Sequence, residues 1–333
     1  SYLLIYGELP TAAELEAWAK IEADRIMHPV FRQFYSERGA VAQERLMRYD
    51  SEGEPMLMEA FDAAAFAAHP YRIPVIGWES NVRTMSFTKM KKFYADHYIP
   101  SRMNITIAGK LDPKTALPLL EKYFGAIPSR PAETFPVVRE PAQKGERRLT
   151  VEFDAKPYLM IGWHKPTLPS KEDYVFDLVS TMLADGRMSR LYRSLVLEKK
   201  IVSSIDAGNG FPGAKYDNLF VIDAEPKDGV AAADVEKAIY DEIDRFAKEV
   251  TKEELDKARL RIASDRIFKL DSNLGIAREL NYYATVTGNW RYAATYRQKL
   301  AEVTVDDVKK AVAEYLVSSN RTVATLVSAQ KGE

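Results

Sequence analysis

Met90-Lys-Lys-Phe-Tyr-Ala95-Asp-His-Tyr-Ile-Pro-Ser101-Arg-Met-Asn-Ile-Thr-Ile107 returns, altered, as Val308-Lys-Lys-Ala-Val-Ala313-Glu-Tyr-Leu-Val-Ser-Ser319-Asn-Arg-Thr-Val-Ala-Thr325, residue 90 against residue 308, an offset of 218. Each copy reads as a helix, a short turn and a strand of alternating residues. Each helix has a hydroxyl residue as N-cap, Ser86 in one copy and Thr304 in the other. A weaker match sets Glu37-Arg38 against Ala258-Arg259, where the second copy lacks the first carboxylate. Such likeness arises by chance between amphipathic helices or from a duplicated domain, and the shared order favours duplication. The second copy starts near Arg147, so a first copy of equal length would begin roughly seventy residues ahead of Ser1. The expectation is a first domain without its N-terminal part.

The 333 residues are 46% apolar and 29% charged, enough for two ordinary domains with cores of their own. A formal net charge of −1 gives no electrostatic ground for a nucleic-acid or membrane-surface partner. Absence of cysteine excludes disulfides, thiolate chemistry and cysteine-based metal sites, and leaves the compartment open. No apolar run approaches a membrane span. Ser1-Tyr-Leu-Leu-Ile-Tyr6 lacks the basic start and the length of a signal peptide and reads as a strand.

Thr11 with Glu14 has capping-box spacing and opens a helix to about Met27, with Leu15, Trp18, Ile21 and Ile26 as its apolar stripe. A helix over 31–48 follows, broken at Ser51-Glu-Gly-Glu-Pro55, then helices over 56–67 and 86–98, a strand over 103–108 and a helix over 112–124. Residues 126–148, rich in proline and charge, read as a linker between a first domain of 1–125 and a second of 149–330. The second domain reads as strands over 149–153, 158–163, 201–207, 219–224 and 322–327. Its helices are expected over 171–183, 189–199, 231–248, 251–270, 272–287, 292–300 and 304–316.

As a helix, the segment Phe31 to Arg48 places Glu37, Val41, Glu44 and Arg48 on one face. Such a row is either a solvated face, with Glu44 paired to Arg48, or a metal ligand with a supporting neighbour. Glu37 and Glu44 lie about 10 Å apart along the axis, too far for both to hold one ion. If a metal is involved, one of them is the ligand and the other a supporting acid.

The chain resembles the zinc metallopeptidase family of pitrilysin, insulin-degrading enzyme and mitochondrial processing peptidase. The likeness rests on Leu15 to Arg25, the Glu37-Arg38…Glu44 helix and His69-Pro-Tyr-Arg72, continues through Lys92-Phe-Tyr…Tyr98-Ile-Pro-Ser-Arg-Met-Asn104, and ends at Ser189-Arg-Leu-Tyr-Arg193. It implies an α+β fold of two homologous domains, each an antiparallel sheet packed with helices. It also implies a helix bearing H-x-x-E-H, whose two histidines bind Zn²⁺ and whose glutamate is the general base. A downstream glutamate completes the ligands. Glu44 matches that ligand, and Glu37 matches the supporting catalytic acid.

None of His28, His69, His97 and His164 has the motif's neighbourhood. The resemblance puts the motif about thirty residues ahead of Ser1, within the part the repeat places outside the chain. All four histidines read as structural or surface residues. The family's substrate-holding Arg and Tyr fall on Val196 and Ser203, so a partner subunit is expected to supply them. The implied function is a zinc metalloendopeptidase of catalytic type, cleaving peptides or unfolded segments enclosed in a clamshell as part of a homo- or heterodimer. Zn²⁺ would belong to the complete protein; no tight metal and no proteolysis are expected of these 333 residues alone. The alternative is a non-catalytic scaffold or core subunit of the same fold. A bacterial periplasmic or envelope setting is the expected compartment.

Overall fold

The computed structural model describes residues 11–131 and 137–328, so the expected strand over 2–6 lies outside the described residues. Ahead of the linker stand α1 (Ala12–Met27), α2 (Phe34–Arg45), α3 (Gly53–Ala65), α4 (Glu79–Thr84), α5 (Phe87–His97) and α6 (Pro113–Phe124). The caps read from sequence are present. Thr11 and Glu14 close both halves of a capping box, and the Ser86 side chain accepts from the Lys89 N–H. The stripe of α1 departs from expectation: Ala19 and Ala23 join Leu15 in the interior, while Ile21 is 63% exposed. Small residues let α6 approach closely, with Trp18 against Phe124 at 6.0 Å. Helix α3 starts at Gly53, before the expected break has ended, because Pro55 sits in its first turn where no N–H is needed.

Downstream, β1 (Arg147–Glu152), β2 (Tyr158–Lys165), β3 (Val202–Phe211), β4 (Asn218–Pro226) and β5 (Arg321–Val327) form one sheet in the order β1-β5-β2-β4-β3. Three ladders are antiparallel as expected, and β1 joins β5 in parallel at the edge. The helices are α7 (Lys171–Ala184), α8 (Ala232–Glu249), α9 (Lys252–Lys269), α10 (Asn273–Thr287), α11 (Tyr292–Glu302) and α12 (Val305–Tyr315). The helix expected over 189–199 is present over 190–198 and is π-helical at Tyr192–Glu198. Among the described residues no strand precedes Arg147. Among the described residues the alternating segment 103–108 belongs to no ladder. Its counterpart β5 is a strand because β1 and β2 flank it; alternation without neighbours leaves the backbone unpaired.

Both faces of this sheet are covered, which explains the nearly unbroken burial of β2. On one face Trp163, Ile161 and Phe220 pack with Phe176 and Leu178 of α7, Ile239 and Phe246 of α8 and Val308 of α12. On the other, α3 lays Leu57, Phe61 and Ala65 on Met160, Leu219, Val221, Ala324 and Leu326. Gly162 makes the seat: a Cβ there would stand 2.6 Å from Cζ of Phe61. The connection into β1 is tied down as well. Glu140 accepts the N–H groups of Ala67, Ala68 and His69 at 2.7–2.9 Å, and the Arg147 guanidinium donates to the carbonyls of Ala64 and Ala65. Burial alone would raise the Glu140 carboxyl, yet the three amide donors outweigh it and hold it below its ordinary range.

Removing the Phe61 ring should cost about 3–5 kcal/mol, since the cavity opens against a rigid sheet. Phe61→Ala should therefore lower the denaturation midpoint and expose the segment ahead of Arg147 to limited proteolysis; unchanged protease resistance would contradict this packing. Asp62, beside it on α3, is buried with Oδ1 unpartnered, and burial pushes its carboxyl up to about 8. Because the folded state retains a proton that the unfolded chain releases near pH 4, stability should fall as pH rises from about 4 to 8. Asp62→Asn should flatten that decline in denaturation curves taken at pH 4, 6 and 8, with its gain largest at pH 8.

Candidate functional site

Helix α2 turns Phe34, Ala42 and Arg45 inward and leaves Glu37, Val41 and Glu44 outside, the row read from the sequence. Glu44, 47% exposed, keeps one ion pair with Arg48, Oε1 to Nη1 at 3.4 Å. Glu37 borders a shallow surface hollow with Phe31, Phe34 and Met90. Directly after Arg45 the helix widens into a π-helical turn, Leu46–Asp50. The Glu44 carboxylate is thus a partly solvated group with one long surface ion pair. Zinc takes three protein ligands, and no group of three His, Cys, Asp or Glu suited to a metal occurs among the described residues.

The four histidines do structural work. His69 caps the 3₁₀ turn Pro70–Arg72, its Nδ1 accepting from the Tyr71 N–H at 3.1 Å. Burial lowers its proton affinity, as it does at His164, which shares a hydrogen bond with the Ala65 carbonyl at 2.8 Å and stands edge-on to Phe66. His97 stacks on Phe93, and His28 meets Asp24 one turn back.

Val196 is half-buried in the π-helical turn and packs on the main core. Ser203 is exposed on the edge strand β3, where its hydroxyl donates to the Glu225 carbonyl at 3.2 Å. Neither presents a long donor. Tyr192 packs on the core, and Arg193 is held by Glu198 at 3.1 Å.

The second copy repeats a feature of α2 that the sequence did not single out. Arg45 meets Glu59 of α3, the Gly77 carbonyl and the rings of Tyr49 and Trp78. Arg266, at the matching position of α9, meets Glu279 of α10, the Ala293 carbonyl and the rings of Tyr283 and Tyr296. The only trace of this in the sequence is an acid followed by arginine in both helices, Glu44-Arg45 and Asp265-Arg266. The same register therefore aligns Glu44 with Asp265.

Asp265 lines a cavity of about 450 Å³ that also involves α7, β3, α10 and α11 and is bordered by Asp177, Asn209, Tyr282 and Tyr296. Burial, then the nearby Asp173, pushes Asp177 up to about 6; it accepts from Asn209 at 2.8 Å and from the Tyr296 hydroxyl at 2.6 Å. Asp173 is held by the buried Lys165 at 2.7 Å. These acids already have partners within the chain.

Residues 84–262 match the family model described as the peptidase M16 inactive domain. The chain is 25% identical over 299 residues to the zinc protease PqqE of Helicobacter pylori, covering 88% of this chain and 67% of that protein. It is 22% identical to the mitochondrial-processing peptidase subunit beta of Lentinula edodes, over 87% of this chain and 66% of that protein. It thus spans about two thirds of the length of these relatives. A crystal structure of a protease from Helicobacter pylori superposes with a TM-score of 0.88 at 24% identity, over 96% of this chain and 78% of that one. The peptidase M16 inactive domain from Pseudomonas fluorescens does so at 0.79 and 18%, over 98% and 78%. With more than half of its residues under the family model, the chain belongs to the peptidase M16 family, of the type described as its inactive domain.

Proposed function

We propose that the complete protein is a zinc metalloendopeptidase in which Glu44 is the carboxylate ligand and Glu37 the supporting catalytic acid. One observation carries this reading. In the second copy, helix α7 packs across α9 and brings Asp177 to the cavity lined by Asp265, the register partner of Glu44. In the first copy no other element among the described residues covers the corresponding face of α2, with Glu37 and Glu44. A helix placed there as α7 is on α9 would bring its own side chains opposite Glu44, which is where a paired-histidine helix has to stand.

Bound zinc would polarise a scissile carbonyl and its attacking water. The chain's own part is to hold Glu44 outward and to keep Glu37 near it. The substrate class is an extended peptide or unfolded segment, and the names of the zinc-protease and processing-peptidase relatives support it. Because Val196 and Ser203 stand where an Arg–Tyr pair would hold the substrate, a second subunit provides that pair. The match to the inactive-domain description favours one other reading, a scaffold subunit of the same fold.

Metal analysis of the full-length gene product separates the two. The peptidase reading expects one zinc per chain, strongly reduced in Glu44→Gln, and no stoichiometric zinc in the 333-residue chain. Full-length protein that is free of zinc, or a Glu44→Gln variant that keeps it, would overturn the assignment. A fluorogenic peptide assay tests the partner: activity should require a second subunit carrying the Arg–Tyr pair. An active, strictly monomeric full-length protein would rule that requirement out.

A further inference from the structure

We infer that His69 and His164 form an acid-opened latch, which holds residues 64–72 on the sheet while both rings are neutral and frees them when the rings take up protons. This does not rest on the zinc reading. Residues 64–72 leave the last turn of α3 and are held by three other parts of the chain. His164 of β2 bonds the Ala65 carbonyl through Nε2 at 2.8 Å and stands edge-on to Phe66, ring centres 5.2 Å apart. Glu140 takes the amides of Ala67, Ala68 and His69. The Tyr71 hydroxyl accepts the N–H groups of Lys215 and Tyr216 at 3.2 and 3.3 Å. His69 sits among these contacts, 5% exposed, its ring centre 4.4 Å from that of Tyr71 and 5.1 Å from that of Tyr216.

The geometry admits neutral rings. Nδ1 of His69 accepts the Tyr71 N–H at 3.1 Å, so it holds a lone pair there. An imidazolium has a donor on each nitrogen and no acceptor, and at this position it would set one N–H against another. His164 already donates Nε2–H to a carbonyl, so a further proton goes to Nδ1 and places a charge beside the Phe66 ring. Burial lowers the proton affinity of both rings, and the charges around them do not reverse it. Glu140 and Asp217 favour protonation, while Arg147 of β1 opposes it at His164. Arg72, on the held segment, donates to the Ala67 carbonyl. Asp62 of α3 retains its proton and acts on global stability with the opposite sign, so the latch has to be read locally. Histidines of a freed segment titrate near pH 6.5, so release takes up protons that the held segment lacks. The hold is at full strength above about pH 6.5 and weakens below it, by up to about tenfold per pH unit for each ring.

Amide hydrogen exchange of the full-length protein, corrected for the intrinsic effect of pH, reads the latch at amides whose acceptors are known. These are Ala67, Ala68 and His69 on Glu140, and Tyr71 on His69. Their protection should fall about tenfold or more between about pH 7.5 and about pH 5.5, while protection within α8 and α12 stays constant. His69→Asn keeps an acceptor for the Tyr71 N–H, and His164→Gln keeps a donor for the Ala65 carbonyl, yet neither new side chain titrates. The double variant should therefore keep its protection across the same range. If the double variant does not fold, His69→Asn alone decides, since its fall should be smaller than that of the wild type. Constant protection in the wild type, an equal fall in α8 and α12, or an undiminished fall in the folded variant would each overturn the latch.

Discussion

The described residues ahead of Arg147 meet the sheet through α3, which sits directly on it. A sheet with helices on one face only would leave Met160, Leu219, Val221 and Leu326 in water, and it is α3 that covers them. The seat is specific, because Gly162 leaves room for one ring at one height, and Phe61 fills it. Around it, Tyr71 accepts the N–H groups of Lys215 and Tyr216, and Glu140 holds the three amides that follow the end of α3. Orientation then passes along the chain. Glu59 is carried by α3 and grips Arg45, and Arg45 adjoins Glu44, so the core packing of one helix bears on the direction of an exposed carboxylate on the next.

The parts of this arrangement that are local were legible in the sequence. The capping box at Thr11 and the N-caps at Ser86 and Thr304 bond groups three residues away, and the outward row of α2 follows from helical period. The helices of the two matching segments are present as read, Phe87–His97 and Val305–Tyr315, and only the second continues into a strand among the described residues. What could not be read depended on distant neighbours. Residues 103–108 have the alternation of β5 but not its flanking strands. The parallel pairing of β1 is decided by where β5 lies, and Ile21 is exposed because α1 uses alanines to approach α6.

The site was legible in the same uneven way. Spacing put Glu37, Glu44 and Arg48 on one face but left open whether that face is solvated or metal-holding, and only the family resemblance gave the two acids a role. Arg45 did not stand out, since a basic residue beside an acidic one is ordinary on a solvated helix. Only the fold shows that its partners come from 14 and 32 residues downstream. The acids around Asp177 were equally silent, because Asn209 and Tyr296, which hold Asp177, lie far along the chain.

Comparison of the two copies shows why one carboxylate stays available while the others do not. In the second copy α7 packs over α9, and the acids around this contact are engaged: Asp173 of α7 by Lys165, Asp177 of α7 by Asn209 and Tyr296, and Glu279 of α10 by Arg266. To free any of these would leave a buried charge or donor unpaired, a loss that an incoming ion would have to offset before it gained anything. Glu44 stands under no such restraint. Among the described residues it is paired with a well-solvated arginine across 3.4 Å, and breaking that contact returns both groups to water at little cost. The same helix pair, pinned by the same kind of arginine fork, thus presents an acid bordering a polar network in one copy and a solvent-exposed acid in the other. The difference lies in whether a helix already covers the face on which the acid stands.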